Sequence, residues 1–450
     1  MEGRSRSSNG DTAAAGEESR FYCDDAQVEA MQRRVDAVAS EGGDDPYTIL
    51  RLPAAVRERH RDLYEPKVVS VGPYYQGHAG LGAAQRHKWR LLRDFLSRAG
   101  RKKQLVAGGG GGGLGAYVRA AREVEADARR CYAEGFGMGA DEFAEMLVLD
   151  GCFLLEFFLR KSEGQLAAPG GAKWAWHHMY HDVLLLENQI PFFVIERLHA
   201  VAFAGEDGAD RDALLDIFCK AFAGDLPSSR TIRPPGDKTI HHLLHLQYEC
   251  NVRNPALDSD NKARNVIADP KDMASGSSSS LAIWKQPAVP PPRSGDGASA
   301  AGKGRLTSMI PPASKMEEAG VTFKRKATPR DVFDVSFRYS VLHMPAFVVD
   351  EGTEVLLANL VAFEQGGGRA ARQLEGGNLV TGFVALVGSL VNSRRDVEVL
   401  RRSGIMHCMV ADDDAVAYFN HVVQYTTMDY DRHLLGCLFR DVREHCHWNR

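Results

Sequence analysis

The sequence predicts a mainly α-helical protein with a small antiparallel β element (α+β), in which a long flexible loop interrupts the helical domain. Two patterns support this class: several apolar stretches repeat at helical spacing, and the apolar residues after position 320 alternate with a period of two. Between them, residues 255–306 are rich in Ser, Pro and Gly and poor in aromatic residues, which is typical of a linker.

The chain divides into four predicted parts. Residues 1–45 form a disordered leader with a short helix at Ala26–Ala39, and residues 46–254 form an N-terminal helical part. Residues 255–306 are the low-complexity linker, and residues 307–450 form a C-terminal part with a small β-meander and helices.

In the N-terminal part, Val68–Val71 is a short β-prone run that stops at a turn signal, Gly72-Pro73. A helix is predicted over Gln85–Arg98, with Trp89, Leu92 and Leu96 on its apolar stripe. Further helices are predicted over Tyr117–Glu134, Asp141–Arg160, Phe192–Phe203, Arg211–Phe222 and Thr239–Cys250.

In the C-terminal part, alternation at Val321 and Phe323 and again over Val335–Val341 predicts strands, followed by an apolar run at Ala346–Val349. Helices are predicted over Glu354–Glu364, Leu379–Val391, Asp396–Leu400 and Asp413–Tyr425. The uncharged stretch Gly376–Ser393 has an apolar centre of 13 residues, about 20 Å as a helix. We therefore predict a buried helix there rather than a membrane span.

Composition excludes several classes. The chain has 450 residues, of which 44% are hydrophobic, and 55 Lys+Arg against 59 Asp+Glu give a net charge of -4. This balance provides no global basic field, so we expect no nucleic-acid partner. Met1–Arg20 contains no apolar signal-peptide core, and the eight cysteines are scattered, as in proteins on the reducing, cytosolic side.

The best candidates for defined roles are polar residues in apolar surroundings. Asp150 follows Leu149 in an apolar helix, and we expect it to be buried and paired with an Arg such as Arg129 or Arg130. The string Glu187-Asn188-Gln189, followed by Pro191, offers the hydrogen bonds that would fix a junction between packed helices.

Two histidine pairs raise an alternative, metal-dependent chemistry. His177 and His181, and likewise His241 and His245, are four residues apart and would share a helix face. Neither pair carries the glutamate of an HExxH motif, so the pattern also fits an ordinary helix face.

A basic stretch within the predicted Gln85–Arg98 helix and just beyond it suggests contact with an anionic membrane surface, against the alternative of a solvated helix face. Its residues are Arg86, Lys88, Arg90, Arg101, Lys102 and Lys103.

Several separated strings resemble the plant domain-of-unknown-function 247 family. The most specific is Leu186–Phe192, and the others occur in the family's order from Tyr47 to the end. They are Tyr64–Tyr74, Lys88-Trp89, Glu142–Phe153, Glu318–Val321, Asn359–Glu364 and Asp396–Ile405.

The resemblance implies no established enzymatic activity and no cofactor. Members of the family typically end in one membrane-anchoring segment, and some are implicated in self-incompatibility of grasses. This chain stops at His447–Arg450 without an apolar 20-residue segment. The resemblance therefore implies membrane association, at the plasma membrane, while the missing anchor makes a cytoplasmic location the alternative.

From these observations we expect a non-enzymatic recognition or signalling protein that acts through contacts with a protein partner at or near a membrane. A metal-dependent, hydrolase-like enzyme built on the paired histidines is one alternative, and a soluble decoy of anchored relatives is another.

Overall fold

The protein consists of two units, Met1–Pro46 and Tyr47–Arg450. In the first unit, helix α1 runs over Asp25–Ser40, where the sequence predicts a helix. The rest of the predicted leader and the predicted linker 255–306 lie outside the described residues. The computed structural model describes residues 25–40, 47–107, 113–165, 173–203, 210–222, 233–251, 310–329, 333–366, 369–372, 374, 378–424, 426, 428–429 and 433–449.

The second unit is helical up to residue 251. Its helices are α2 (Ala54–Arg59), α3 (Arg61–Tyr64), α4 (Gly82–Ala107), α5 (Leu114–Arg130), α6 (Ala140–Ser162), α7 (Lys173–Asp182), α8 (Phe192–Phe203), α9 (Arg211–Phe222) and α10 (Leu243–Asn251). The helices predicted from periodicity in this part fall on α4, α5, α6, α8, α9 and α10.

Helix α6 lies at the centre of this part and packs against α4, α5, α8 and α9. Every residue from Met146 to Leu159 is buried. A helix that is apolar on nearly all sides needs neighbours on all sides, and the four surrounding helices supply them.

Helix α4 presents a different face to the core from the one predicted. Leu92 is buried, but Trp89 is 47% exposed, because the buried stripe runs through Lys88, Phe95 and Ala99 instead. Adjacent positions on a helix point about 100° apart, so a stripe that includes position 88 turns position 89 outward.

After residue 309 the chain adds further helices and short strands. The helices are α11 (Ala313–Glu318), α12 (Glu351–Gln365), α13 (Arg369–Arg372), α14 (Leu379–Leu390), α15 (Arg394–Arg402), α16 (Asp412–Gln424) and α17 (Gly436–Trp448). The strands are β1 (Thr322–Arg325), β2 (Ser336–Arg338), β3 (Val341–Met344), β4 (Phe347–Val349) and β5 (Met406–Cys408). The predicted class, mainly α with a small β element, is therefore confirmed.

The sheets are mixed rather than a simple antiparallel meander. β3 pairs antiparallel with β2 but parallel with β1, so only the β2–β3 pair is the expected hairpin. β4 pairs parallel with the distant β5, with Phe347 opposite Met406. Parallel pairing needs a long connection between the strands, and alternation within each strand does not show which strand is its partner.

The apolar helix α14 is buried along its whole length, as predicted for the stretch around it. Among the described residues we find no helix with the length and hydropathy that a transmembrane span requires.

Candidate functional site

The loop between α7 and α8 forms a junction on which several parts of the second unit converge. The carboxylate of Glu187 accepts hydrogen bonds from the Leu52 N–H at 2.7 Å and from the Tyr75 hydroxyl at 2.8 Å. The guanidinium of Arg57 lies 3.4 Å from the same carboxylate. Glu187 is buried, so its charge is balanced by Arg57 and fixed by donors from the N-terminal segment.

The side chain of Asn188 forms hydrogen bonds with the backbone of the extended segment after α3, as a neighbouring strand would do in a sheet. Its side-chain oxygen accepts from the Val71 N–H at 2.6 Å, and its amide donates to the Val69 carbonyl at 3.0 Å. Asp182 accepts from the backbone N–H groups of residues 67–69 at 2.6–2.9 Å. The β-prone run Val68–Val71 is therefore extended without being a strand, because side chains rather than another strand satisfy these backbone groups.

Gln189 joins the junction to α10, and Pro191 directly precedes α8. The side chain of Gln189 donates to the carbonyls of Val183 and Leu185 and accepts from the Leu243 N–H at 3.0 Å. The first residue of α8, Phe192, donates its N–H to the His241 carbonyl at 2.8 Å.

Asp150 lies beneath the turn at Gly72-Pro73. It is fully buried, accepts the Gly72 N–H at 2.9 Å, and forms an ion pair with Lys88. Burial raises the pKa of Asp150, against the opposing effects of the Lys88 ammonium and the Gly72 N–H.

Two predictions about charged residues around this pair are wrong. Arg129 pairs with Glu125 and Arg130 with Asp127, so neither is the partner of Asp150. Lys88 is 1% exposed and does not belong to a basic surface. Its position in register with the buried stripe of α4 places its ammonium against the carboxylate of Asp150.

The polar side-chain atoms of the junction form hydrogen bonds and ion pairs within the fold. Both carboxylate oxygens of Asp150 and Glu187 have donors, and the amides of Asn188 and Gln189 bond on both their oxygen and nitrogen sides. Such saturation stabilises one arrangement of the packed helices. General acid–base chemistry at this point would first have to break those hydrogen bonds.

The two histidine pairs lie in different surroundings. The rings of His177 and His181 are 4.5 Å apart beside α12, where Gly352 makes room for the imidazole of His181. The rings of His241 and His245 are 5.3 Å apart, and His245 packs against Phe363. Within the described part of the chain, no three His, Cys, Asp or Glu side chains are arranged to hold a metal ion.

His181 is partly buried at the contact between α7 and α12. Burial, reinforced by the neighbouring His177, lowers its pKa to about 4. Its buried Nε2 atom has no hydrogen-bond partner among the described residues. A neutral imidazole in this position is a packing element of the α7–α12 contact.

An apolar groove beside the junction is a site that the sequence did not reveal. Its volume is about 420 Å³, within the range of ligand-sized pockets. Apolar side chains provide most of its walls, and Arg51 and Gln365 are its long polar residues. The lining residues are Tyr47, Leu50, Arg51, Leu52, Pro53, Val56, Tyr64, Ala133, Val361, Ala362, Gln365, Gly366 and Val422. They come from four separate parts of the chain, within 47–64, at 133, within 361–366 and at 422, so no local pattern points to them.

The outward side of α4 carries the remaining residues of the predicted basic stretch. Arg86, Arg90 and Arg101 are exposed and make no ion pair with the residues that the structure describes. Exposed Trp89 lies among them. We call these four residues the basic face of α4. Lys102 and Lys103 continue the helix, but their side chains are outside the described set.

Comparison with known proteins gives a family and no activity. A family model, DUF247, described as a plant protein of unknown function, matches residues 49–450. UPF0481 protein At3g47200 of Arabidopsis thaliana is 26% identical over 409 residues, which cover 90% of this chain and 78% of that protein. Putative UPF0481 protein At3g02645 of the same plant is 23% identical over 469 residues, covering 86% of this chain and 80% of that protein. No solved structure matches.

Proposed function

This chain belongs to the DUF247 family of plant proteins, and we propose that it is a non-enzymatic recognition protein that acts through protein contacts beside an anionic membrane surface. The observation that carries the proposal is the basic face of α4, where three exposed arginines without ion-pair partners among the described residues share one side of the helix with an exposed tryptophan. Arginine is attracted to anionic headgroups, and tryptophan favours the boundary between lipid and water.

The charge pattern of α4 supports a partner that is an extended surface. From Arg86 to Arg101 the helix rises about 22 Å over four turns, which is too long for a single phosphate group. Asp94 is the only acidic residue of α4, and it is already paired with Arg93 and Arg160. A helix face that is merely solvated usually carries acids among its bases, because such pairs stabilise the helix.

The groove beside the junction supports the protein-contact part of the proposal. Its apolar walls suit an inserted apolar side chain, and Arg51, the cation of its lining, is already paired with Glu134. A partner therefore gains mainly apolar contact there.

Vesicle sedimentation tests the membrane part. We expect the full chain to sediment with vesicles of phosphatidylcholine and phosphatidylserine, but not with phosphatidylcholine alone. Replacing three arginines of the basic face, as Arg86→Ser, Arg90→Ser and Arg101→Ser together, should weaken binding about 100-fold, since each cation contributes about 1 kcal/mol near such a surface.

The matched control is the triple variant Arg119→Ser, Lys220→Ser and Lys324→Ser, which removes equal charge from exposed positions on other elements. It should bind within a few-fold of the wild type. Equal loss in both triple variants would show that net charge alone drives binding. If the wild-type chain does not sediment with anionic vesicles, the proposal is wrong, and an acidic protein becomes the candidate partner of the basic face.

A further inference from the structure

A pair of thiols lies in contact away from the junction, the groove and the basic face. Cys219 on α9 and Cys250 on α10 have their Sγ atoms 3.3 Å apart. Cys219 is 9% exposed and Cys250 is fully buried. The two residues are 31 positions apart in sequence, so their contact is a product of the packing of α9 against α10.

We propose that Cys219 and Cys250 form a site of reversible oxidation, at which hydrogen peroxide converts the two thiols into a disulfide. The Cys219 thiolate attacks the peroxide, the O–O bond breaks, and a sulfenic acid forms while hydroxide leaves. The Cys250 sulfur then attacks the Cys219 sulfur, the S–OH bond breaks, and the two thiol protons leave with the oxygens as two molecules of water. Two electrons pass from the sulfurs to the peroxide, and a dithiol reductant returns them.

The geometry needs little rearrangement to reach the product. A disulfide bond is about 2.05 Å long, so the sulfurs must approach by roughly 1.3 Å. Rotation of two side chains and a small shift of α10 against α9 supply such a movement. Hydrogen peroxide is little larger than water, and Cys219, which is 9% exposed, gives it access to the pair.

Cys219 is the residue expected to react first. It lies at the edge of the core beside Asp216 and Arg233, both about half exposed, which form an ion pair at 3.5 Å. The hydrogen bond with Cys250 holds the pKa of the Cys219 thiol below its ordinary value, although burial opposes this. Cys152 offers the contrast, because it is fully buried and burial alone raises the pKa of its thiol.

The bond would act on the junction through α10. The N–H of Leu243, the first residue of α10, is held by Gln189. A disulfide between α9 and α10 would therefore fasten the helix on which one side of the junction depends. We expect the oxidised chain to unfold at a temperature several degrees higher than the reduced chain, because the bond closes a loop of about 30 residues.

Peptide mapping of the full chain tests the proposal. Trypsin releases Cys219 in the peptide Asp212–Lys220 and Cys250 in the peptide Thr239–Arg253, each with one cysteine. After treatment with hydrogen peroxide and blocking of free thiols, we expect the two peptides to appear joined, lighter by two hydrogens than their sum. Dithiothreitol should separate them and reverse the rise in unfolding temperature.

Variants distinguish this pair from general oxidation. In Cys250→Ser the sulfenic acid on Cys219 has no partner, so a dimedone probe should label Cys219 several-fold more than in the wild type. Exposed Cys437 reports that the peroxide has acted. Oxidation of Cys437 while both peptides remain separate, or a bond from Cys219 to another cysteine, would refute the proposal, and the wild-type map decides this even if a variant misfolds.

Discussion

At the scale of single residues, buried polar side chains take over tasks that backbone groups perform elsewhere. Asp182 accepts three successive N–H groups of the segment before Gly72, and Asn188 both donates to and accepts from that segment. A sequence pattern shows that such residues sit among apolar neighbours, but the identity of their partners depends on the tertiary fold. For this reason a buried Asp150 was predictable from its apolar context, whereas Lys88 as its partner was not.

The Lys88–Asp150 pair gives a residue-scale prediction. Lys88→Met leaves the Asp150 carboxylate buried without its cation, so we expect the free energy of unfolding to fall by about 3–5 kcal/mol. The double variant Lys88→Met/Asp150→Asn should recover most of this loss, since a neutral amide oxygen still accepts from Gly72. Urea unfolding of the four proteins in this cycle measures the effect, and additive losses would show that the two side chains do not act as a pair.

His181 gives a prediction about pH. Its pKa is lowered from 6.5 to about 4 in the folded chain, so between these values the unfolded chain binds more protons than the folded one. Its contribution to stability is therefore complete above pH 6.5 and is lost as the pH falls towards 4. Replacing His181 by Asn should remove about one proton from the difference in proton uptake between the unfolded and folded chains over this range. The same change at exposed His177 should have a much smaller effect, because His177 only adds to the lowering of the pKa of His181. An equal effect of both substitutions would contradict the assignment.

At the scale of elements, the turn at Gly72 shows how closely the extended segment after α3 packs against the junction. Gly72 has φ +78°, and a Cβ there would lie 2.3 Å from the Gln189 carbonyl oxygen. The turn therefore needs glycine for both its conformation and its close contact.

Comparison of Gly72 with Gly77 separates the effect of the backbone conformation from the effect of the close contact. Gly77 has nearly the same φ, +77°, but a Cβ there would meet nothing within 4 Å. We expect Gly77→Ala to cost about 1–2 kcal/mol from the left-handed conformation alone, and Gly72→Ala to cost clearly more because the Gln189 carbonyl must move. Equal losses in thermal or urea unfolding would mean that the junction yields freely at this point.

Elements differ in how far the sequence predicts them. Helices such as α6 were predictable because their apolar spacing is local. The prediction of which side of α4 faces the core was wrong. The buried stripe contains Lys88 where an apolar residue is expected, and Trp89 lies outside it. The parallel partner of β4 is three residues near position 406, too short to show alternation, and the groove is assembled from distant segments.

At the scale of the whole second unit, buried hydrogen bonds join residues 47–251 to the chain after residue 309. Asn359 on α12 donates to the Leu63 carbonyl and accepts the Leu186 N–H. Tyr248 on α10 donates to Glu364, which also accepts backbone N–H groups at the start of α14. Of these bonds, the one between Asn359 and Leu186 crosses from one part to the other at the junction itself.

The expected consequence is a single unfolding transition that depends on Asn359. Asn359→Leu keeps the branched side-chain shape but deprives two buried backbone groups of their hydrogen-bond partner, which should cost about 2–5 kcal/mol. Tryptophan fluorescence and circular dichroism should still report coincident transitions. The same substitution at exposed Asn449 should change stability little, and separate transitions for the two probes in the wild type would refute the coupling.

Fractionation of plant cells tests most directly whether the basic face of α4 holds the chain at an anionic membrane. The 450-residue chain should pellet with membranes and leave them in high salt or alkaline carbonate, because we expect its attachment to be electrostatic. The variant with serine at positions 86, 90 and 101 should remain in the supernatant, while the control variant at positions 119, 220 and 324 should pellet like the wild type. If the basic-face variant pellets as the wild type does, or if the wild type stays in the supernatant, the claim is contradicted.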